Sequence, residues 1–194
     1  MKLISLDEAE SPVTVAEFKT ASGHDFAVDD AFLADQLSAA TEMVEAGTRR
    51  AAVSRDMEFL VDGADFGAWW FPLAPVSEIL SVEYLDAAET WRTIDAGSYA
   101  LRTGHDEPRL KMASGFAWPE RAEDSAVRVR AAVGYATSTK TPRRMRQAII
   151  LLVQEWYQTM RNTGEDSEQS RRYSSFSVKN LMRAVKYSRP KISE

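Results

Sequence analysis

Side chains that could do chemistry are few and scattered in this sequence. There are two histidines, His24 and His105, and no cysteine. A metal site or a nucleophile–base pair needs several such groups close together, and neither histidine has a second His or a Cys at ligand spacing. We therefore expect both histidines to be exposed turn residues. The sequence predicts a protein that is not an enzyme and uses no metal or cofactor.

Acidic pairs and short motifs add no catalytic signature. The pairs Asp29-Asp30 and Asp106-Glu107 place carboxylates one residue apart, where side chains of an extended segment point in opposite directions and make poor acid–base partners. Asp65-Phe66-Gly67 spells a protein-kinase triplet, but no glycine-rich phosphate loop accompanies it. The sequence also lacks a Walker loop, a dinucleotide fingerprint and a nucleophile elbow.

Basic and aromatic clusters indicate binding chemistry instead. Arg143, Arg144 and Arg146 fall in the first turn of a predicted helix, where cations are mildly unfavourable with the helix dipole, so we expect an anionic partner, either phosphate or an acidic protein surface. The segment 171–173 has one aromatic ring beside two arginines, which is too little for a base-stacking platform, so we expect a flexible link there. Trp69-Trp70-Phe71 suits an interface anchor, but we favour a loop that folds back over a β core.

Charge is distributed unevenly along the 194 residues, whose net charge is −5. Residues 1–140 hold 13 Lys and Arg against 24 Asp and Glu, a net of −11, whereas residues 141–194 hold 11 against 5, a net of +6. An acidic surface repels nucleic acid, and a basic segment attracts anionic partners. The pattern fits either an ordinary solvated charged surface or an acidic body (residues 1–140) and a basic tail (residues 141–194) that bind different partners.

Composition narrows the class of protein. Hydrophobic residues make up 44% and charged residues 27% of the chain, which is typical of a globular protein. No apolar run is long enough to span a membrane, and the N-terminus is acidic too early for a signal peptide. Together with the lack of cysteine, these features predict a soluble chain made in a reducing cytoplasm.

Residues 1–51 are predicted to be helical. A capping box at Thr14 and Glu17 begins a short helix, and a longer helix follows to about Gly47. The longer helix carries two apolar stripes at helical spacing. The first stripe consists of Leu33, Leu37, Ala40, Val44 and Gly47, and the second stripe consists of Phe32, Ala39, Met43 and Ala46. The spacing allows either one wide core face or a second stripe that packs against a neighbouring subunit.

Residues 52–140 are predicted to form an antiparallel β-rich insertion. Strands are expected at residues 57–61, 78–85, 91–94, 99–102, 108–112 and 126–133. The last of these alternates apolar residues with Arg128 and Arg130, which predicts a strand with one buried face. No helix-length segment separates the strands, so parallel β–α–β units are not expected.

Residues 141–194 return to helix. Thr141-Pro142 begins a strongly apolar helix, which we expect at the centre of its core. The polar residues 161–175 are predicted to be a loop, and Ser177 is predicted to cap a last helix. The sequence therefore predicts an α+β fold: a mainly α-helical bundle of about four helices, formed by residues 1–51 and 141–194, with a β-rich insertion at 52–140.

The order of several segments is informative beyond these local patterns. The first segments are residues 12–19, residues 44–51, and residues 72–76, which lead into 79–86. The next are the pairs 98–99 and 108–110, 118–119 and 127–129, and 134–135 ahead of Pro142. The last are 146–153 together with 156–157, then 181–182 and 187–189. In order and spacing they resemble the head–tail connector (adaptor) family of tailed phages and phage-derived gene transfer agents, over nearly the whole chain. One departure is Lys186, where relatives often have a helix breaker, so we expect the last helix to run longer here. The other departure is the unusually polar linker 161–176.

The resemblance implies assembly without turnover. It implies a dodecameric ring beneath the portal protein of a DNA-filled capsid, which extends the DNA channel and provides a docking platform for head–tail stopper or tail-terminator proteins. DNA would pass through this ring without sequence-specific binding. The location implied is the head–tail interface of the virion, after synthesis in the bacterial host cytoplasm.

Two contact surfaces are expected from the residue patterns together with the ring and portal that the resemblance implies. The C-terminal segment is expected to meet the portal through Phe176, Val178, Leu181, Met182, Val185, Tyr187 and Arg189. The second stripe of the long N-terminal helix is expected to meet the neighbouring copy through Phe32, Ala39, Met43 and Ala46. The alternative function is a small nucleic-acid-binding module that uses Arg143, Arg144 and Arg146.

Overall fold

The protein has an α+β fold, as the sequence predicts. Its structure, a computed structural model, describes residues 2–5, 9–23, 30–62, 68–103, 107–120, 126–161 and 167–188. The chain divides into two units, which we call the β-rich unit (Met1–Glu8, Ser54–Gly134 and Tyr187–Glu194) and the helical unit (Ala9–Val53 and Tyr135–Lys186).

The helical unit contains the four α-helices of the described residues. They are α1 (Val15–Ser22), α2 (Asp30–Thr48), α3 (Arg143–Arg161) and α4 (Ser167–Val185). The predicted capping box is present: the Thr14 hydroxyl accepts a hydrogen bond from the Glu17 amide, and the Glu17 carboxylate accepts one from the Thr14 amide. Gly23 ends α1 in the left-handed conformation, at φ 66°.

The core of the helical unit forms where α2 and α3 bury their apolar faces. Leu33, Leu37, Ala40 and Val44 of the first α2 stripe pack with Met145, Ala148, Ile149, Leu152 and Val153 of α3. A side chain at Gly47 would meet the Met182 methyl group, so this glycine lets α4 approach α2 closely. The prediction that the helix after Thr141-Pro142 is central to its core is confirmed.

The β-rich unit contains eight strands among the described residues. They are β1 (Lys2–Ser5), β2 (Arg55–Asp62), β3 (Ala68–Trp70), β4 (Val76–Leu85), β5 (Trp91–Thr93), β6 (Tyr99–Arg102), β7 (Arg109–Met112) and β8 (Ala126–Val133). One sheet has the order β1-β2-β8-β4-β5 and the other has the order β3-β7-β6. Every pairing in both sheets is antiparallel, as predicted.

Alternation along β8 places its apolar residues in the core of this unit. Val127, Val129, Ala131 and Val133 are all fully buried. An aromatic cluster of Phe59, Trp69 and Phe71 joins this core, with ring centroids 4.6 to 5.5 Å apart. The expected loop around Trp69 is in fact strand β3, but its burial over the β core agrees with the predicted packing. Period-two alternation was too short there to predict a strand.

Two other predictions about secondary structure are wrong. Residues 1–51 are not wholly helical, because β1 pairs with β2. Helix α4 begins at Ser167, so the predicted loop and flexible link up to residue 175 are largely helix. Glu, Gln and Arg are good helix formers, and their polarity hides the helix from an apolar-periodicity criterion. The segment 162–166 lies outside the described residues.

The end of α4 also differs from the expectation. We expected Lys186 to extend the last helix, but α4 ends at Val185. The Arg50 side chain donates a hydrogen bond to the Val185 carbonyl at 2.6 Å. This bond satisfies one of the carbonyls that a helix end leaves unpaired, so the helix can stop there without a glycine cap.

Candidate assembly surfaces

The polar face of the five-stranded sheet holds an internally paired set of charges. Arg128 contacts Glu83 at 3.0 Å and Glu58 at 3.5 Å, and Arg130 contacts Glu58 at 3.0 Å. The Arg128 guanidinium also lies over the Trp91 ring, 3.9 Å from its centroid. These contacts connect β2, β8, β4 and β5 across one face, so the charges stabilise the sheet.

Sequence reasoning found only half of this set. The alternation of β8 placed Arg128 and Arg130 on one face, whereas Glu58 and Glu83 carried no signal. The register of the strands pairs the carboxylates with the arginines, since Glu58 is opposite Arg130 and Glu83 is opposite Arg128. The acidic residues come from strands far away in sequence, which periodicity within one strand cannot identify.

The second apolar stripe of α2 lies outside the core of the helical unit. Ala39 and Ala46 are exposed, Phe32 is half-buried and 53% of Met43 is accessible. The first stripe is buried, so α2 does not use both stripes within its own chain. Asp35 and Glu42 lie on the same exposed side as Met43.

The residues expected to contact a portal occupy different environments. Phe176 is 65% exposed, whereas Val178 is buried and Leu181, Met182 and Val185 pack against the core of the helical unit. Tyr187 is buried in the β-rich unit, where its hydroxyl donates a hydrogen bond to the Phe71 carbonyl at 2.9 Å. Arg189 lies outside the described residues. Most of this set supports the fold, so it does not form one free docking surface.

The arginine cluster at the start of α3 is partly neutralised. Arg146 donates to the Glu17 carboxylate at 2.6 Å. The hydrogen bond from the Thr14 amide, and then the Arg146 guanidinium, hold the pKa of Glu17 below its ordinary value. Arg143 and Arg144 are exposed, and neither has an ion-pair partner in the part of the chain that the structure describes. Within that part, the cluster therefore offers two free cations rather than three.

Most of the residues that the sequence analysis weighed for catalysis cannot be placed among the described residues. His24, Asp29, Asp65-Phe66-Gly67, His105 and Asp106 all lie outside the described residues. Within the described ranges, no group of three or more His, Cys, Asp or Glu side chains is arranged to hold a metal ion. None of the described helices has the length and apolar character needed to cross a membrane.

Solved structures of gene transfer agent (GTA) particles contain chains with this fold. The protein is similar to a chain in the neck of an empty GTA particle computed with C6 symmetry, with a TM-score of 0.78 and 25% identity. It is also similar to a chain in the virion of a native GTA particle, with a TM-score of 0.79 and 25% identity. Each match covers 100% of this chain and 99% of the other.

A third match shows the fold alone. A chain in the neck of a native GTA particle computed with C12 symmetry aligns with a TM-score of 0.77 and 22% identity, again over 100% of this chain and 99% of the other. No protein-family model and no curated protein matches the sequence. All three of these structural neighbours are components of GTA particles, and each is matched from end to end.

Proposed function

We propose that this protein is a structural, non-enzymatic component of the neck of a phage-like particle related to gene transfer agents. In this proposal it is the head–tail connector (adaptor), located in the virion at the head–tail interface. The end-to-end similarity to GTA neck and virion chains at 25% identity carries the proposal. Surface chemistry agrees with it, because the helical unit exposes the large apolar side chains of Met43 and Phe176.

The proposed adaptor is a ring of identical copies, a dodecamer, in which the second stripe of α2 contacts the neighbouring copy. Met43→Asp places a charge in that contact without touching the core of the helical unit, so we expect the ring to dissociate while the fold remains. Phe32→Asp tests the other end of the stripe. Mass photometry and negative-stain microscopy measure the ring, and circular dichroism measures the fold.

The matched control is Leu80→Asp, which changes an exposed apolar residue on β4 of the β-rich unit. We expect this variant to form rings as the unmodified chain does. Intact rings in both the Met43→Asp and the Phe32→Asp variants would contradict the role of the second stripe.

The proposed partner on the capsid side is the portal protein. We assign portal docking to the basic segment 186–194 after α4, which carries Lys186, Arg189 and Lys191. Buried Val178 and Tyr187 belong to the two cores, so deleting residues 176–194 would damage the fold together with any docking surface. A chain that stops after Ser188 keeps both core residues and removes most of the segment.

A binding experiment with the portal of the same particle tests this assignment. We expect the chain that stops after Ser188 to retain its ring and its melting temperature and to lose portal binding, measured by imaging the mixture under negative stain. The charge variant Arg189→Glu with Lys191→Glu is the full-length companion and is expected to weaken binding. Unchanged docking of both variants would contradict a role for this segment, and failure of the unmodified chain to dock would contradict the adaptor function.

The tail-facing side of the ring is proposed to receive stopper or tail-terminator proteins, and its channel to pass DNA without sequence-specific binding. The net charge of −11 over residues 1–140 supports a wall that repels phosphates and lets DNA slide. Filter binding at two salt concentrations tests this, and we expect no retention of DNA at physiological salt. If the unmodified chain retains DNA and the double variant Arg143→Ala with Arg144→Ala does not, the result would favour the nucleic-acid-binding alternative.

A further inference from the structure

Large exposed apolar side chains mark two places on the helical unit. Among the described residues, Met43, Leu80 and Phe176 are the large apolar side chains that are exposed. Single exposed apolar residues are common on protein surfaces and need no partner. Met43 on α2 and Phe176 on α4 differ from this background because the charges beside Met43 are negative and those beside Phe176 are positive.

The exposed side of α2 is acidic. Asp35, Ala39, Glu42, Met43 and Ala46 share one face of the helix, opposite the buried first stripe, and we call them the acidic face. Asp35 and Glu42 are separated by seven residues, about 10 Å along the helix. Neither carboxylate has an ion-pair partner within the described ranges. The two alanines leave room for another helix to approach.

The exposed side of α4 is basic. Phe176, Lys179, Asn180 and Arg183 share one face, opposite buried Val178, and we call them the basic face. Lys179 and Arg183 are one helical turn apart. Neither cation has an ion-pair partner among the side chains that the structure describes. Each face therefore combines one large apolar residue with two charges of a single sign that are unpaired among those side chains.

We infer that the acidic face of α2 in one copy packs against the basic face of α4 in the next copy, with Met43 beside Phe176. This inference rests on the proposed ring and names its contact. Because the two faces differ, the contact can repeat head-to-tail from copy to copy, and a repeated contact of this kind forms a ring when its rotation closes. A contact of either face with itself would set like charges against each other, which disfavours that pairing.

Disulfide crosslinking tests the contact directly, since the chain has no cysteine of its own. Met43→Cys and Phe176→Cys are made in separate chains, one of them tagged, and are mixed and oxidised at a concentration where the unmodified chain forms rings. We expect a crosslinked heterodimer as the main product. A chain with both substitutions is expected to give a ladder of larger products up to the closed ring.

The control pairs Leu80→Cys with Phe176→Cys, because Leu80 is similarly exposed but lies on β4. We expect no crosslink above background from that mixture. Rings of the unmodified chain combined with no Met43–Phe176 crosslink above this control would overturn the interface and leave the proposed function standing. Homodimers of one single-cysteine chain as the main product would overturn the head-to-tail pairing.

A charge exchange tests the same contact without a covalent bond. Asp35→Lys with Glu42→Lys makes both faces basic, and Lys179→Glu with Arg183→Glu makes both faces acidic. Each variant alone is expected to lose the ring, because like charges then meet at every contact. In an equal mixture the two variants alternate around the ring with opposite charges at every contact, so we expect rings to return.

The remaining outcomes are also decisive. Two variants that keep the circular dichroism of the unmodified chain, yet do not form rings when mixed, would overturn the charge pairing. An unmodified chain that stays monomeric alone and with the portal, with no crosslink from the cysteine mixture, would overturn the ring itself together with this interface.

Discussion

The polar face of the sheet in the β-rich unit and the exposed side of α2 in the helical unit use their charged residues in different ways. In the β-rich unit, Arg128 contacts both Glu58 and Glu83 and Arg130 contacts Glu58, so two cations and two carboxylates are paired within the chain. In the helical unit, Asp35 and Glu42 are exposed and have no ion-pair partner in the described part of the protein. Charges paired inside a chain stabilise its fold, whereas unpaired surface charges remain available to a partner.

The same contrast holds for the aromatic residues, and it leads to the largest predicted effect. Phe59 is fully buried against Trp69 and Phe71 in the β-rich unit, whereas Phe176 is 65% exposed on α4. We expect Phe59→Ala to lower the free energy of unfolding by about 3–5 kcal/mol, because it leaves a cavity. Phe176→Ala should change it by less than about 0.5 kcal/mol.

Urea unfolding of the two alanine variants measures this difference. Ring formation of the Phe176→Ala variant is expected to weaken although its stability is unchanged. Equal losses of stability in both variants would show that Phe176 belongs to a core, and the contrast between the units would then fail.

A second prediction compares two arginines of the same sheet. Arg128→Met removes the ion-pair partner of Glu83 and one of the two partners of Glu58, both largely buried, so we expect a loss of about 2–3 kcal/mol of stability. Arg92 pairs with Asp86 at 2.9 Å in an exposed position. We expect Arg92→Met to leave the unfolding midpoint unchanged, because water screens this pair.

Thermal and urea unfolding of the two methionine variants provide the measurement. Normal stability of the Arg128→Met variant would mean that the paired charges do not hold the sheet. A loss from Arg92→Met as large as that from Arg128→Met would mean that burial is not the cause.

Local patterns in the sequence predicted the parts of the fold that depend on neighbouring residues. The capping box of Thr14 and Glu17 and the alternation in β8 are both present in the structure. Strand β1 was missed because pairing with β2 is a long-range event without a local signal. The first half of α4 was missed because its polar residues leave no apolar periodicity to follow.

Prediction of the candidate surfaces had the same limit. Helical spacing alone separated Met43 from the buried stripe of α2, and its contact with a neighbouring copy stays a prediction. The basic face of α4 was not recognised, because periodicity there pointed to Val178 and its neighbours, which the structure packs inward. Complementarity between Asp35 and Lys179 becomes visible only once the outward side of each helix is known.

A third prediction concerns the helix cap that anchors α1 in the helical unit. Thr14→Ala removes the hydroxyl that accepts from the Glu17 amide and should cost about 1 kcal/mol. Thr20→Ala is the matched control, because the Thr20 hydroxyl only donates to the Ala16 carbonyl within α1 and alanine is the better helix former. Urea unfolding should separate the two variants. If Thr20→Ala lowers the free energy of unfolding as much as Thr14→Ala does, loss of the cap is not the cause.

The smallest predicted effect is the pH dependence of that cap. The Thr14 amide and Arg146 lower the pKa of Glu17 below its ordinary value of 4.5. A lowered pKa in the folded state adds stability that is present above the ordinary value and is lost as pH falls through the folded value. The advantage of the unmodified chain over Glu17→Gln should therefore be about a few tenths of a kcal/mol at neutral pH and should shrink in acid. Arg146→Gln should keep part of this dependence, since the Thr14 amide still binds the carboxylate. Parallel pH profiles of the unmodified chain and Glu17→Gln would show that the cap carries no charge-dependent stability.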